Sequence, residues 1–210
     1  MLTSRDIQEA WWLNLKLLSG HGYWTDVQRG SFANTERRLQ LKALAGIIYY
    51  PLPIILPAPK QGIPAPATIE YVHKYFRDKL IGDVKSENEE YTYGERISEQ
   101  LPKIIEMLQK TPETNQAVIE VGLPTDIDLP DPPCLRCITL KVIQGKLHLG
   151  CYFRSWDLWT GFPANIGALA LLQQLICGFL EKVELGPVFY ASDGAHVYEY
   201  AYEYMQGVLK

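Results

Sequence analysis

Asp131-Pro132-Pro133-Cys134 opens a stretch that runs through Gln144-Gly145-Lys146 and Arg154-Ser155-Trp156-Asp157 to Pro163-Ala164-Asn165. Cys134 to Val142 reads as a strand, Gln144-Gly145-Lys146 as a hairpin turn, and Leu147 to Arg154 as the returning strand. Asn165 to Leu180 then reads as a long apolar helix, buried on most sides. If the two strands are antiparallel about Gly145, Cys134 and Arg154 pair near the open end of the hairpin. Cysteine, arginine, aspartate and asparagine can then converge at one end of this unit.

Around this unit the composition fits a single domain over residues 1–210, since 210 residues at 47% hydrophobic content can build one well-packed core. Twenty Lys and Arg against 24 Asp and Glu give a net charge of -4, which speaks against a nucleic-acid polymer as partner. Arginines focused in a cleft can still hold a small anion. Met1 to Glu9 carries Arg5, Asp6 and Glu9 and has no apolar run of the signal-peptide kind. The apolar stretches fall short of the roughly 20 residues of a membrane span. Four cysteines make no disulfide framework. The expectation is a soluble, reduced, cytoplasmic chain with no membrane contact.

Upstream of the hairpin, Thr3 or Ser4 is the expected cap of a helix through Ile7, Ala10, Trp11 and Leu15 to about Ser19, stopped by Gly20 and Gly22. Trp11, Trp12 and Trp24 read as core or interface, with a cofactor role as the other option. Thr25 to Arg38 reads as a polar loop. Its Arg29-Gly30-Ser31 can present a guanidinium and backbone N–H groups to a phosphate, or can be a solvated loop and nothing more. Leu39 to Tyr50 reads as a buried strand, and Pro51 to Pro66 as a stiff crossover. Thr68 caps a helix from Ile69 to Leu80; a third helix runs from Ile97 to Lys110 and breaks at Thr111-Pro112. Gln116 to Val121 reads as a strand, Gly122 to Pro133 as a proline-bounded loop, and Val188 to Ser192 as a short strand. His196 to Met205 is either helix or strand. Strands and helices without regular alternation give an α+β class, a mixed sheet packed with helices.

Cys134 and Cys137 form one Cys-x-x-Cys, but neither Cys151 nor Cys177 supplies the second pair of a tetrahedral zinc site, so no metal is expected. A redox pair would sit in a strand rather than at a helix start, where a thiol is acidified. Cys134 is the better nucleophile; the alternative is a small buried hydrophobe. A guanidinium from Arg154 beside it favours the thiolate and can also hold a phosphate. A nucleophile, an anion clamp and an amide that reads a flat polar ring suit chemistry on a nucleotide.

Asp131-Pro132-Pro133-Cys134, Gly145-Lys146-Leu147, Arg154-Ser155-Trp156-Asp157, Gly161-Phe162-Pro163-Ala164-Asn165 and His196-Val197-Tyr198, in this order, resemble the thymidylate synthase family, in particular its short archaeal form. The resemblance covers Tyr91 to Tyr198; before it, Arg29-Gly30 is similar to the family's N-terminal phosphate loop. It implies a thymidylate-synthase-like α+β fold and methylation of dUMP at C5, with Cys134 adding to C6 of the uracil ring. It implies Arg154, Ser155 and Arg29 as phosphate ligands, and Asp157 on the pyrimidine and cofactor side. Asn165 would read the O4 and N3 edge, His196 and Tyr198 would hold the deoxyribose 3′-hydroxyl, and Tyr93 would belong to the proton network. The co-substrate it implies is 5,10-methylene-tetrahydrofolate or 5,10-methylene-tetrahydromethanopterin, and the assembly a homodimer.

Several positions depart from the family pattern. Leu135 stands where histidine usually follows the cysteine, and Thr139 replaces a glutamine. Asn115-Gln116 stands where the partner subunit usually contributes an Arg-Arg pair, so Arg37 or Arg38 is a candidate replacement. Lys210 follows His196-Val197-Tyr198 closely, without the long tail that closes over folate in bacterial members. Two other activities therefore stand beside methylation: a pyrimidine nucleotide hydroxymethylase, in which water replaces hydride, and a non-catalytic nucleotide-binding homologue.

Overall fold

In the computed structural model, which describes residues 1–29, 36–85 and 90–210, the hairpin forms as expected. Gln144 and Gly145 take successive left-handed conformations, φ 50° and 74°. Such a two-residue turn matches the twist of paired strands. β6 (Leu135–Ile143) and β7 (Lys146–Phe153) pair antiparallel across it, and Arg154 N–H donates to Cys134 O at 2.9 Å. One face of the pair, from Ile138, Leu140 and Val142 to Leu147, Leu149 and Phe153, is buried in a core cluster that extends from Ile7 to Met205.

Two sheets share this core. The first has the order β1-β4-β9-β7-β6-β5, with β1 at Leu2–Ser4, β4 at Leu44–Ile48, β5 at Val118–Glu120 and β9 at Glu184–Ser192. The second is β2 (Tyr23–Asp26), β3 (Arg37–Gln40), β10 (Ala195–Tyr198) and β8 (Trp156–Asp157). α4 (Gly161–Cys177) is buried along most of its length, and its Gln173 donates to Leu147 O and Gly186 O at 2.6 and 3.0 Å. The mixed sheets and their helices form the α+β architecture expected of a thymidylate-synthase-like chain.

One corner joins the sheets. β7 and β9 are parallel neighbours in the first sheet, and their continuations β8 and β10 are parallel neighbours in the second. At the crossing Trp156 N–H donates to Gly194 O at 3.1 Å, and Leu158 N–H to His196 O at 2.7 Å. The backbones approach so closely that a Cβ on Gly194 would lie 2.4 Å from Arg154 O. Only glycine allows that contact without movement of a strand.

The structure corrects several boundaries. Thr3 and Ser4 lie in β1, where Ser4 Oγ donates to Ile47 O; Asp6 caps α1 (Ile7–His21) instead, accepting from Glu9 N–H at 2.9 Å. Gly20 lies inside α1, and Gly22 ends it. The polar segment Thr25 to Arg38 holds the end of β2 and the start of β3, while Gly30 and Ser31 fall outside the described residues. Leu39 to Tyr50 is two elements rather than one strand, since β3 and β4 belong to different sheets. The helix capped by Thr68 is α2 (Ile69–Tyr75) followed by a π turn at Phe76–Leu80. α3 (Tyr93–Lys110) begins four residues before Ile97, because Thr92 and Glu95 form a capping box. A 3-10 turn, Pro124–Asp128, interrupts the proline-bounded loop. α4 begins at Gly161 rather than Asn165, with Pro163 tolerated in its first turn. β9 begins at Glu184, before Val188. His196 to Met205 is both options in succession, β10 and then α5 (Glu199–Leu209).

Gly194→Ala should lower stability by about 1–3 kcal/mol, the usual cost of overpacking a tight contact. The urea midpoint checks this, and an unchanged midpoint would show that the corner has slack.

Candidate functional site

Cys134 is the residue immediately before β6, held at the mouth of the hairpin. Arg154 straps the chain that leads to it: Nε donates to Pro133 O at 3.1 Å, while Nη2 donates to Pro132 O and to Asp131 Oδ1. Nη1 takes part in none of these bonds. Burial pushes the Cys134 thiol above its ordinary range, and the cations of Arg154, Arg38 and Arg136 pull it back down. On the other side stand tyrosines. Tyr93 Oη accepts from Leu135 N–H at 3.4 Å, and Tyr91 and Tyr93 stack with centroids 6.2 Å apart. Burial, then the neighbouring Cys134, raises both phenols, so both are neutral donors at neutral pH.

A polar sheet face completes the surroundings. In β10 and β3, His196 pairs with Gln40 and Tyr198 with Arg38. β8 adds Asp157 opposite His196, and β2 adds Tyr23 and Thr25. Directly paired residues point to one side of a sheet, so these side chains share a face. Leu39, Val197, Ala195 and Trp156, of the alternate register, are buried in the core on the other face.

His196 is only 2% exposed, and its Nδ1 lies 2.8 Å from Gly194 O. Burial lowers its pKa, so the ring is neutral: Nδ1–H donates to that carbonyl, and Nε2 is an acceptor. That Nε2 has no partner. Tyr198 lies edge-on to it at 4.7 Å, and burial, then Asp157, pushes the Tyr198 phenol up to about 12. After burial, the charges of Asp157, Arg38, Cys134 and Asp131 are the further causes of that shift, so groups of the hairpin mouth and of the polar face both act on Tyr198.

α4 enters this site by its first turns. Asp157 accepts from Trp159 N–H at 2.9 Å with Oδ1, and from Thr160 N–H and Gly161 N–H at 3.1 and 3.2 Å with Oδ2. The carboxylate thus satisfies donors at the start of a helix. Asn165 is on the second turn, and its Oδ1 accepts from Trp156 Nε1 at 2.9 Å. That bond fixes the amide, with Nδ2 left to donate and the second lone pair of Oδ1 left to accept.

Of the nine residues singled out from the sequence, Cys134, Tyr93, Arg154, Ser155, Asp157, Asn165, His196 and Tyr198 lie along this hairpin mouth, corner and polar face. Ser155 sits at the corner beside Gly194. Arg29 reaches the rim, where its Nη2 donates to Leu129 O at 2.9 Å, just ahead of Asp131. Arg37 is turned away, paired with Asp26 and Glu199 over the Trp24 ring. Asn115 accepts from Lys141 at 2.7 Å, far along β6 from Cys134. Sequence reasoning does not give Trp156 as the holder of Asn165, although an indole N–H in a buried strand usually finds an acceptor. Sequence reasoning gives Arg38 a place only as an alternative to Arg37 at the phosphate and gives Gln40 none, although Arg38-Leu39-Gln40-Leu41 alternates polar and apolar as a half-buried strand does. Among the described residues no group of three or more His, Cys, Asp or Glu could hold a metal ion, and no helix is long and apolar enough to cross a membrane.

The family model described as thymidylate synthase matches residues 72–210. A Methanosarcina acetivorans protein named "Putative thymidylate synthase" is 27% identical over 217 residues, covering 100% of this chain and 94% of its own. Proteins of the same name from Methanosarcina barkeri and Methanococcoides burtonii are 27% and 25% identical with the same coverage.

Proposed function

Since the chain belongs to the thymidylate synthase family, we propose that it methylates dUMP at C5 to give dTMP through a covalent adduct on Cys134. The observations that support this reading are the placement of Cys134 beside Arg154 at the mouth of the hairpin and the unpartnered Nε2 of His196 on the polar sheet face.

The Cys134 thiolate adds to C6 of the uracil ring, forming an S–C6 bond and moving the electron pair toward C5 and O4. Loss of that adduct restores the ring and frees the thiolate, so one difficult step becomes two easier ones. Asn165, fixed by Trp156, donates from Nδ2 to O4 and accepts N3–H at Oδ1. The neutral imidazole of His196 accepts the proton of the 3′-hydroxyl, and Tyr198 donates to the same oxygen. Arg154, with Ser155 and Arg29, receives the phosphate. Tyr93, which accepts from Leu135 N–H, keeps its own proton to donate beside the reacting ring.

A reduced pterin fits the donor set, because Asp157 Oδ1 accepts one backbone N–H and retains a lone pair for a ring N–H. When bound, a methylene-tetrahydropterin supplies the one-carbon unit and the hydride; tetrahydrofolate and tetrahydromethanopterin forms both meet that need.

The same reading makes the chain a homodimer. The outer face of the first sheet exposes Tyr49 (49%), Ile143 (41%) and Phe189 (41%), an apolar surface suited to a second copy. Phe189→Asp should convert the dimer to monomers in sedimentation velocity; a monomeric parent protein, or a variant that stays dimeric, removes this face from the interface.

Incubation of dUMP with each methylene-pterin, read by mass spectrometry of the nucleotide, should yield dTMP. Cys134→Ser should yield no product while retaining dUMP binding, because a hydroxyl is a far weaker nucleophile than a thiolate. A 5-hydroxymethyl product would make the protein a hydroxymethylase, and binding without product a non-catalytic homologue.

A further inference from the structure

Among the described residues, Arg38 is the cation that the strand register puts on the polar sheet face, opposite Tyr198. Its Nε is buried and has no hydrogen-bond partner. The two carboxylates of the surroundings are occupied: Asp157 accepts backbone N–H groups at the start of α4, and Asp131 pairs with Arg154. A buried guanidinium donor without an acceptor is costly, and native structures satisfy it with water, an ion or a ligand.

The neighbours of Arg38 define that ligand. Gln40 Oε1 and His196 Nε2 are also buried and without partners, and they form the next cross-strand pair along the same face. Two residues along a strand span about 7 Å. A guanidinium at one end of this row calls for an anion, and acceptors at the other end call for hydroxyl protons. A sugar phosphate has both, separated by the width of one pentose. The charge of Arg38 also reaches Cys134 and Tyr198, so its anion lies within the same site. Its neighbour Arg37 cannot serve, because it lies on the other face in contact with Asp26.

We infer that Arg38 is a phosphate ligand supplied by the same chain, so that the sugar phosphate lies along the row from Arg38 to His196. This rests on the reading of the site as one for a pyrimidine deoxynucleotide, and it adds a second clamp to Arg154 that needs no residue of another subunit. Because guanidinium donors match phosphate oxygens in a planar fork, lysine would replace the charge but not the geometry.

Calorimetric titration of the parent protein, Arg38→Gln and Arg38→Lys with dUMP, deoxyuridine and inorganic phosphate tests it. Arg38→Gln should bind dUMP about ten- to a hundredfold more weakly, the range of a charge-assisted hydrogen bond. Deoxyuridine binding should be unchanged, inorganic phosphate binding should be lost, and Arg38→Lys should fall between the two. Unchanged dUMP binding, or equal losses for dUMP and deoxyuridine, would overturn the assignment and leave the nucleotide reading standing. If the parent protein binds inorganic phosphate through Arg38 but does not bind dUMP, the anion site stands and the nucleotide reading falls. If the parent protein binds none of the three, both fall.

Discussion

The backbone contact between Gly194 and Arg154 is the constraint on which this molecule depends. It lets two parallel neighbours leave one sheet together and enter another as parallel neighbours, with Trp156 and Leu158 bonded across the crossing. The residues that follow the crossing on one strand are Ser155, Trp156 and Asp157; on the other they are Ala195 and His196. Arg154, at the bend itself, is aimed back at Pro132 and Pro133 and thereby at the chain before Cys134. One close approach thus sets the Cys134 loop, the start of α4 and the polar face in fixed relation, each on a rigid element.

The electrostatics of the site follow from that placement. Burial raises the Cys134 thiol and the surrounding phenols and keeps His196 neutral, while the arginines act in the opposite direction on the thiol. Donors and acceptors are therefore sorted along the candidate site: neutral acceptors at His196 and Gln40, guanidinium groups at Arg38 and Arg154, and at Asn165 an amide able to do both. Such sorting selects a ligand by leaving groups unpaired when the wrong molecule binds.

Much of the fold was legible in local chemistry. Gln144-Gly145 announces its hairpin because two left-handed residues suit few other sequences, and Thr68 is the side chain a helix start needs; Asp6 meets the same need, but Thr3 and Ser4 just before it compete for that reading. The capping box of Thr92 and Glu95 was equally legible, yet the apolar period from Ile97 drew the helix start inward. The second sheet was not legible as a sheet. Its strands are two to four residues long, and β2 and β3 are rich in polar side chains because one face is turned away from the core. Nothing local in Arg154-Ser155 or Asp193-Gly194 says that the two segments cross, since that contact joins residues about forty apart in sequence. For the candidate site, residue types and order single out Cys134, Arg154 and Asn165, whereas the bond from Trp156 to Asn165 and the unpartnered Nε of Arg38 belong to tertiary structure alone.

The central claim is that Cys134 adds to C6 of dUMP, and it can be tested without a pterin. Addition at C6 makes C5 acidic, so the C5 hydrogen of dUMP should exchange with solvent in D2O, seen as loss of its proton NMR signal. The rate should rise with pH through and beyond the ordinary thiol range, because burial holds the Cys134 thiol up and the thiolate is the attacking form. Exchange that vanishes in Cys134→Ser agrees with the account; no exchange in the parent protein, or exchange that persists in Cys134→Ser, contradicts it.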